Sequence, residues 1–249
     1  MNETKSTIRA PEKNLVHQVN SWWNAPENAT IESIKELFGI EEDKSEKGFG
    51  LDFNEIKHGE ELLNNAFNNL DKNELVYIET AVLLLDSIYH TRLKSPLRVA
   101  YKIHQLFQNN NLLSKIKNAQ DLQEIIYCVY EIAINDKKAD AKNAYIYSFA
   151  TKFCNRINHA FPIYDSYVAG LLYHYSYDNK FTQASLGNYK RFYDTYEKFV
   201  KDYKLNEFNF KEIDIFMWTY GKILSSKNNK DPIKLQLSVT YVPYEKENI

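Results

Sequence analysis

The stretch from Ser148 to Val168 reads SFATKFCNRINHAFPIYDSYV and carries the strongest pattern in the chain. It sets Lys152 thirteen residues before Asp165, with a short helix and a proline turn between them. Pro162 ends the helix, because the residue before a proline is driven out of the α region. Asp165 is a natural N-cap for the apolar run that follows. This out-and-back path predicts that the amine and the carboxylate face one site, as a lysine nucleophile and its electrostatic partner would.

The composition predicts an all-α protein. The chain has 7 glycines and 6 prolines among 249 residues, whereas average usage would give about 17 and about 12. Apolar residues make up 44% of the chain, enough for a substantial core. Most of the 19 tyrosines and 14 phenylalanines are expected to pack half-buried, and a minority to act as stacking surfaces.

The cysteines and the N-terminus favour a cytoplasmic protein. Cys128 and Cys154 both lie in apolar helical patterns and are expected to be reduced core residues. No spacing of histidines and cysteines predicts a metal site. The N-terminus has no apolar signal region, and no apolar run is long enough to span a membrane.

The net charge of the chain is −2, which argues against a general nucleic-acid binder. Non-specific affinity for nucleic acid comes mainly from lysines and arginines that neutralise phosphates. A local basic face is still compatible with this net charge. Arg98 and Lys102 lie four residues apart on a helix that begins at Pro96, and Arg92 comes just before it. Together with Tyr89 at the polar end of the preceding apolar helix, they are either part of a binding site or a solvated helix end.

Three segments are predicted. Residues 1–28 are interpreted as an extended N-terminal arm docked through Trp22 and Trp23. Residues 29–226 form the helical domain, in which the apolar helix within 73–93 is expected at the centre of the bundle. Residues 232–244 form a C-terminal strand or tail, since Ile233 to Tyr241 alternates apolar and polar residues. A lone strand needs a partner, which favours pairing with the arm or with a second copy in a homodimer.

The central stretch also resembles a known family. SFATK followed by FPIYD is similar to the core of the helix-hairpin-helix DNA glycosylases, and most to the 8-oxoguanine glycosylase branch. That family has glycine–hydrophobic–glycine–threonine–lysine in its hairpin and then a Pro-Val-Asp segment. Ser148 and Ala150 stand where the hairpin glycines would be, and Tyr164 is an additional residue before the aspartate.

The resemblance implies a two-lobed helical fold with the hairpin and catalytic segment at 141–175. It implies that Lys152 is the catalytic lysine and Asp165 the catalytic aspartate, with no cofactor. It also implies DNA as the partner, contacted by Ser148, Thr151 and Tyr164. Such an enzyme flips a base out of the duplex, and its lysine attacks C1′ and forms a Schiff base that permits strand cleavage.

Three hypotheses therefore stand. The first is an all-α DNA glycosylase and abasic-site lyase that acts on oxidised bases or on modified bases of invading DNA. The second is a protein of the same fold that binds nucleic acid without cutting it, because a fold does not fix an activity. The third is an unrelated helical interaction protein, for example in anti-phage defence, that dimerises through the C-terminal strand. The first requires Lys152 and Asp165 to lie within about 10 Å of each other, a few hydrogen-bond lengths.

Overall fold

A computed structural model describes residues 11–38, 52–134, 143–175 and 189–227. In these residues the chain is all-helical, as its composition predicts, and contains no β-strand. The helices are α1 Lys13–Asn24, α2 Ile31–Phe38, α3 Phe53–Phe67, α4 Leu75–Tyr89, α5 Pro96–Asn110, α6 Leu112–Lys117, α7 Leu122–Ile134, α8 Asn143–Ile157, α9 Ser166–Tyr175, α10 Tyr189–Asp202 and α11 Phe210–Lys227. The predicted C-terminal strand, and with it the proposed dimer contact, lies outside the described residues.

Helix pairs build the fold around one continuous apolar core. Helix α4 packs against α3 and α5, α7 packs against α8, and α11 packs against α9 and α1. No helix in the described residues combines the length and the apolar character needed to cross a membrane.

The N-terminal segment differs from the prediction, because residues 13–24 form a helix rather than an extended arm. Leu15, Val16, Val19 and Trp22 are buried on one face of α1, at the spacing of an amphipathic helix. The helical repeat of these apolar residues was missed in the sequence because polar residues separate them. The predicted anchoring role of the tryptophans is consistent with Trp22, which is fully buried against Phe38 and Phe53.

Helix α4 is less enclosed than predicted. Ile78, Ala81 and Leu85 are fully buried, but Val76 is 55% exposed and Leu83 is 42% exposed. The helix therefore has one solvent-facing side although its sequence is apolar on nearly every face. Burial depends on how many neighbours a helix has, and local hydrophobicity does not report that number.

The hairpin expected at Ser148–Ala150 is not formed. These residues lie in the middle of α8, which runs without interruption from Asn143 to Ile157. None of them has the positive φ that hairpin glycines supply. The Thr151 hydroxyl donates to the Ser148 carbonyl at 3.1 Å, a bond typical of a threonine within a helix.

Close approach of α9 to α11 gives a first prediction. A Cβ atom added at Gly221 would lie 2.7 Å from Tyr167 Cβ, so Gly221→Ala is expected to lower the free energy of unfolding by about 1–3 kcal/mol. Gly59→Ala is the matched control, since its Cβ would meet Ile88 Cγ2 at 3.3 Å and alanine has the better helix propensity. Thermal denaturation measures both. Equal stability of the two variants would contradict the predicted clash.

Candidate active site

Lys152 and Asp165 form a direct ion pair. The Lys152 Nζ donates a hydrogen bond to Asp165 Oδ2 at 3.1 Å. The lysine side chain is 6% exposed and the aspartate side chain 14% exposed, so the pair is largely removed from water. The expectation that the two groups face the same site is confirmed, and the separation is far below the limit set by the first hypothesis.

The loop between α8 and α9 is fixed by hydrogen bonds from several elements. Asn155 Nδ2 donates to the Phe161 carbonyl at 2.7 Å, and the Tyr164 amide donates to Thr151 Oγ1 at 3.1 Å. The Ile163 amide donates to Asp214 Oδ2 at 3.0 Å from the side of α11. These bonds hold the chain beside α8 after it turns, and so they fix the position of Asp165.

Asp165 also caps α9, as predicted. Its Oδ1 accepts a hydrogen bond from the Tyr167 amide at 2.9 Å, while its Oδ2 accepts from Lys152. One carboxylate therefore serves a helix N-terminus and a buried amine.

Tyr89, at the end of α4, lies against the amine of Lys152. The Lys152 Nζ is 4.9 Å from the centre of the Tyr89 ring, and the Arg156 guanidinium carbon is 5.5 Å from it. Cations at these distances from an aromatic face are stabilised by the ring quadrupole. The Tyr89 hydroxyl donates to Glu60 Oε1 at 2.6 Å, which links the aromatic ring to a second ion-pair network.

That network is built on Glu60. Arg156 donates to Glu60 Oε1 and to the Tyr89 hydroxyl, and Lys211 donates to Glu60 Oε2 at 3.1 Å. The Arg156 side chain is only 3% exposed and also donates to Asn64 Oδ1 at 3.2 Å. Burial alone would raise the pKa of Glu60, but the charges of Arg156 and Lys211 lower it to about 2.

Lys211 is a second amine at the site. Its side chain is 23% exposed, more than that of Lys152. Burial and the nearby Arg156 charge lower the pKa of Lys211, although its contact with Glu60 opposes them. A lysine with a lowered pKa is more often in the neutral form that attacks an electrophile.

Asp214, on α11, is almost fully buried. Burial raises the pKa of Asp214 well above its usual range, while hydrogen bonds from the Tyr196 hydroxyl and the Ile163 amide oppose the increase. Tyr196 donates to Asp214 Oδ1 at 2.7 Å. Since both carboxyl oxygens are engaged by groups that hold the loop and α10, Asp214 is a structural support of the site.

Acidification is expected to weaken the fold through Glu60. Its folded pKa lies below the ordinary value of 4.5, so its stabilisation is complete above about pH 4.5 and is lost as the pH falls toward about 2. The full effect is roughly 3 kcal/mol. Urea unfolding at about pH 5.5 and about pH 2.5 is expected to show a larger loss for the wild type than for Glu60→Gln. If the wild type and Glu60→Gln lose the same stability on acidification, Glu60 is not the source of the acid sensitivity.

The other predicted binding residues are more dispersed. Tyr89 lies at the site. Arg92 is exposed in the α4–α5 loop, Arg98 is exposed on α5 and Lys102 is half-buried there. Helix α5 packs against α4, α6 and α7. Among the described contacts, none joins Lys102 to Lys152 or Asp165.

Three residues that the resemblance implied as DNA contacts have internal roles. Ser148 is half-buried within α8, Thr151 is fully buried, and Tyr164 is 2% exposed. Thr151 Oγ1 fixes the Tyr164 amide, and the Tyr164 ring packs edge-on against Tyr147 and Phe192. Their positions argue for shaping the loop rather than for touching DNA.

Sequence reasoning did not identify Glu60, Arg156, Lys211 and Asp214 as site residues. Arg156 had a usable signal, because it lies four residues after Lys152 on one face of α8. Asp214 had one as well, as an acid within the apolar run of α11. Glu60 and Lys211 had none, since Glu60 meets Arg156 across 96 residues of chain and Lys211 across 151.

Comparison with known proteins gives a partial match. A family model described as an HI_0787 N-terminal domain matches residues 40–161, just under half of the 249-residue chain. A Haemophilus influenzae protein described as uncharacterized is 40% identical over 91 residues. That similarity covers 35% of this chain and 42% of the relative, so the chain spans less than half the length of the relative it matches. No solved structure matches the chain.

The family match divides the candidate site. Residues 40–161 contain Glu60, Tyr89, Lys152 and Arg156, but they end before Asp165 and before α11. Neither description names an activity or a ligand.

Proposed function

We propose that the protein is a DNA glycosylase and abasic-site lyase that excises a damaged or modified base flipped out of the duplex. The observation that carries the proposal is the 3.1 Å contact between the Lys152 amine and the Asp165 carboxylate in a site largely closed to water. A buried amine beside a carboxylate can supply a nucleophile and its electrostatic partner at a sugar carbon. The resemblance of SFATK and FPIYD to the glycosylase core supports the same chemistry.

The reaction begins when Lys152 loses a proton, for which Asp165 Oδ2 is the adjacent acceptor. The neutral Nζ then attacks C1′, and the bond from C1′ to the base breaks. The departing base takes the bonding electron pair and the proton that Asp165 received from Lys152, which leaves Asp165 charged again. Opening of the sugar ring gives a Schiff base between Nζ and C1′, while the Asp165 charge stabilises the positive charge that develops at the sugar.

Strand cleavage follows from the Schiff base. Removal of a C2′ proton allows the C3′–oxygen bond to break, and the 3′ phosphate leaves. Tyr89 orients the amine through its ring face, 4.9 Å from Nζ. The substrate is expected to enter past Asp165 and Lys211, because these two side chains are more exposed than Lys152.

A second candidate function is nucleic-acid binding without cleavage. One observation favours it over the enzyme: the Lys152 side chain is 6% exposed, which limits its access to a sugar carbon. In this alternative, Lys152 and Asp165 are a structural ion pair that fixes the α8–α9 loop.

Borohydride trapping separates the two candidates. Labelled duplexes with abasic, oxidised or modified bases are incubated with the wild type, Lys152→Ala and Lys211→Ala, and reduction converts any Schiff base to a stable adduct. The enzyme is expected to give an adduct with the wild type and with Lys211→Ala, but none with Lys152→Ala. Specific retention of one duplex without an adduct would favour the binding protein. If the wild type forms no adduct and retains no duplex, both candidate functions are overturned.

A further inference from the structure

The large hydrophobic side chains that stay exposed in the described residues all lie on three consecutive helices, α3, α4 and α5. Each of these helices has 15 residues, and they form one layer because α4 packs against both of the others. Helices α7 and α8 lie behind this layer, since α8 packs against α3 and α4 while α7 packs against α5. The hydrophobic side chains are 38–55% exposed and comprise Leu62, Val76, Leu83, Leu97 and Tyr101.

Two uncharged stripes carry most of these side chains. The stripe on α4 recurs every three or four residues along one exposed side of the helix and comprises Val76, Thr80, Leu83 and Ser87. The stripe on α5 has the same spacing and comprises Leu97, Tyr101 and Gln105. Neither stripe contains a charged residue, although 26% of the chain is charged. Together with Leu62 of α3, the two stripes form the outer face of the layer, and an exposed apolar patch of this kind usually marks an interface.

The outer face is large enough for one side of a weak dimer. A helix of 15 residues is about 22 Å long, and neighbouring helices lie about 9 Å apart, so three of them present about 600 Å². Two such faces together bury about 1,200 Å², at the lower end of specific interfaces between proteins. An interface of this size is expected to have a dissociation constant in the micromolar range.

Charges at the two edges of the layer select a second copy of the chain as the partner. Glu61 of α3 is exposed and Lys102 of α5 is half-buried, and neither forms an ion pair within the described residues. Helix α5 contains no acidic residue, and the one lysine of α3, Lys57, donates to the Asn24 carbonyl of α1 at 3.1 Å. A two-fold axis parallel to α4 places α3 of one copy over α5 of the other, so an acidic edge meets a basic edge twice. An anionic membrane surface would instead be repelled by Glu61.

The two edges are also aligned along the layer. Gly59 of α3 lies beside Ile88, within one turn of the end of α4, so Glu61 lies near that end. Lys102 lies in the second turn of α5, which begins at the same end because a short loop joins it to α4. Rotation about an axis parallel to α4 keeps each residue at its level, and it therefore brings Glu61 of one copy toward Lys102 of the other.

We infer that two copies of the chain associate through the outer face about a two-fold axis parallel to α4. The α4 stripes of the two copies then meet along the axis, with Leu83 at the centre of the contact. The inference does not rest on the proposed function, because no residue of the candidate site takes part. It is also a different contact from the one expected through the C-terminal strand.

The test is sedimentation velocity of the full chain over concentrations from about 1 μM to about 200 μM, which bracket a micromolar dissociation constant. Leu83→Glu is expected to raise the dissociation constant about 100-fold, because each copy loses an apolar contact and like charges meet at the axis. Asn14→Glu is the matched control. It adds the same charge at an exposed position of α1, outside the outer face, and is expected to leave the association unchanged.

Charge reversal at the edges tests whether the partner is a second copy. Glu61→Lys and Lys102→Glu are each expected to weaken the dimer about tenfold, since each change sets like charges opposite each other at both edges. An equimolar mixture of these two variants is expected to associate as tightly as the wild type, because every edge then meets its opposite charge. Recovery on mixing requires both edges to lie in a contact between copies.

Three results would overturn the inference. They are a wild type that stays monomeric over the whole concentration range, a dimer that Leu83→Glu does not weaken, and no recovery of association in the mixture. Binding of a monomeric wild type to vesicles of anionic phospholipid would assign the outer face to a membrane surface. Circular dichroism and thermal unfolding check that each variant is folded.

Discussion

Asp165→Asn is expected to slow base excision by about 100-fold or more, the usual cost of losing one electrostatic contribution to a transition state. Asparagine still accepts the Tyr167 amide and caps a helix as well as aspartate does, so α9 should keep its N-terminus. What is lost is the negative charge 3.1 Å from the Lys152 amine. Single-turnover excision on the best-trapped duplex measures the rate, and thermal unfolding measures the fold.

Asp52→Asn is the matched control for this variant. Asp52 caps α3 through the amides of Asn54 and Glu55, both at 3.0 Å from its Oδ1. The same substitution there is expected to leave the excision rate unchanged. A wild-type rate in Asp165→Asn would show that the carboxylate charge has no part in catalysis.

Arg156→Ala is expected to lower the free energy of unfolding by about 3–5 kcal/mol, as removal of one partner from a buried ion pair does. The Arg156 side chain is almost fully buried and bonds Glu60, Tyr89 and Asn64. Its loss leaves the Glu60 carboxylate buried with Lys211 as its remaining cation. Urea denaturation with linear extrapolation measures the change.

Two further variants test the origin of that loss. Adding Glu60→Gln to Arg156→Ala is expected to recover part of the stability, because the buried charge is removed together with its partner. Lys198→Ala breaks an exposed pair with Asp202, 3.9 Å apart on α10, and is expected to cost about 0.5 kcal/mol or less. If Arg156→Ala costs no more than Lys198→Ala, the Glu60 network does not stabilise the fold.

The local geometry of the site was predictable because it depends on neighbours in sequence. A proline after α8 and an aspartate before α9 were enough to predict the turn, the cap and the meeting of Lys152 with Asp165. Tyr89 was suggested by the abrupt change to polar residues at the end of α4. In both cases the sequence pattern lies within a few residues of the side chain whose position it predicts.

Other features depended on contacts that the sequence pattern does not report. Glu60 joins the site from α3 and Lys211 from α11, so their meeting follows from how the helices pack. The helix through Ser148 and Ala150 was missed because the family resemblance implied a hairpin there. Residues with a Cβ atom favour continuing the helix where glycines would allow a turn.

The central claim is that Lys152 is the nucleophile, and mapping the trapped adduct tests it most directly. The reduced protein–DNA adduct is digested with nuclease and protease, and mass spectrometry locates the amine that carries the sugar remnant. The remnant is expected on Lys152 Nζ, beside Asp165. A remnant on Lys211, whose side chain is more exposed and whose pKa is lowered, or on the N-terminal amine would contradict it.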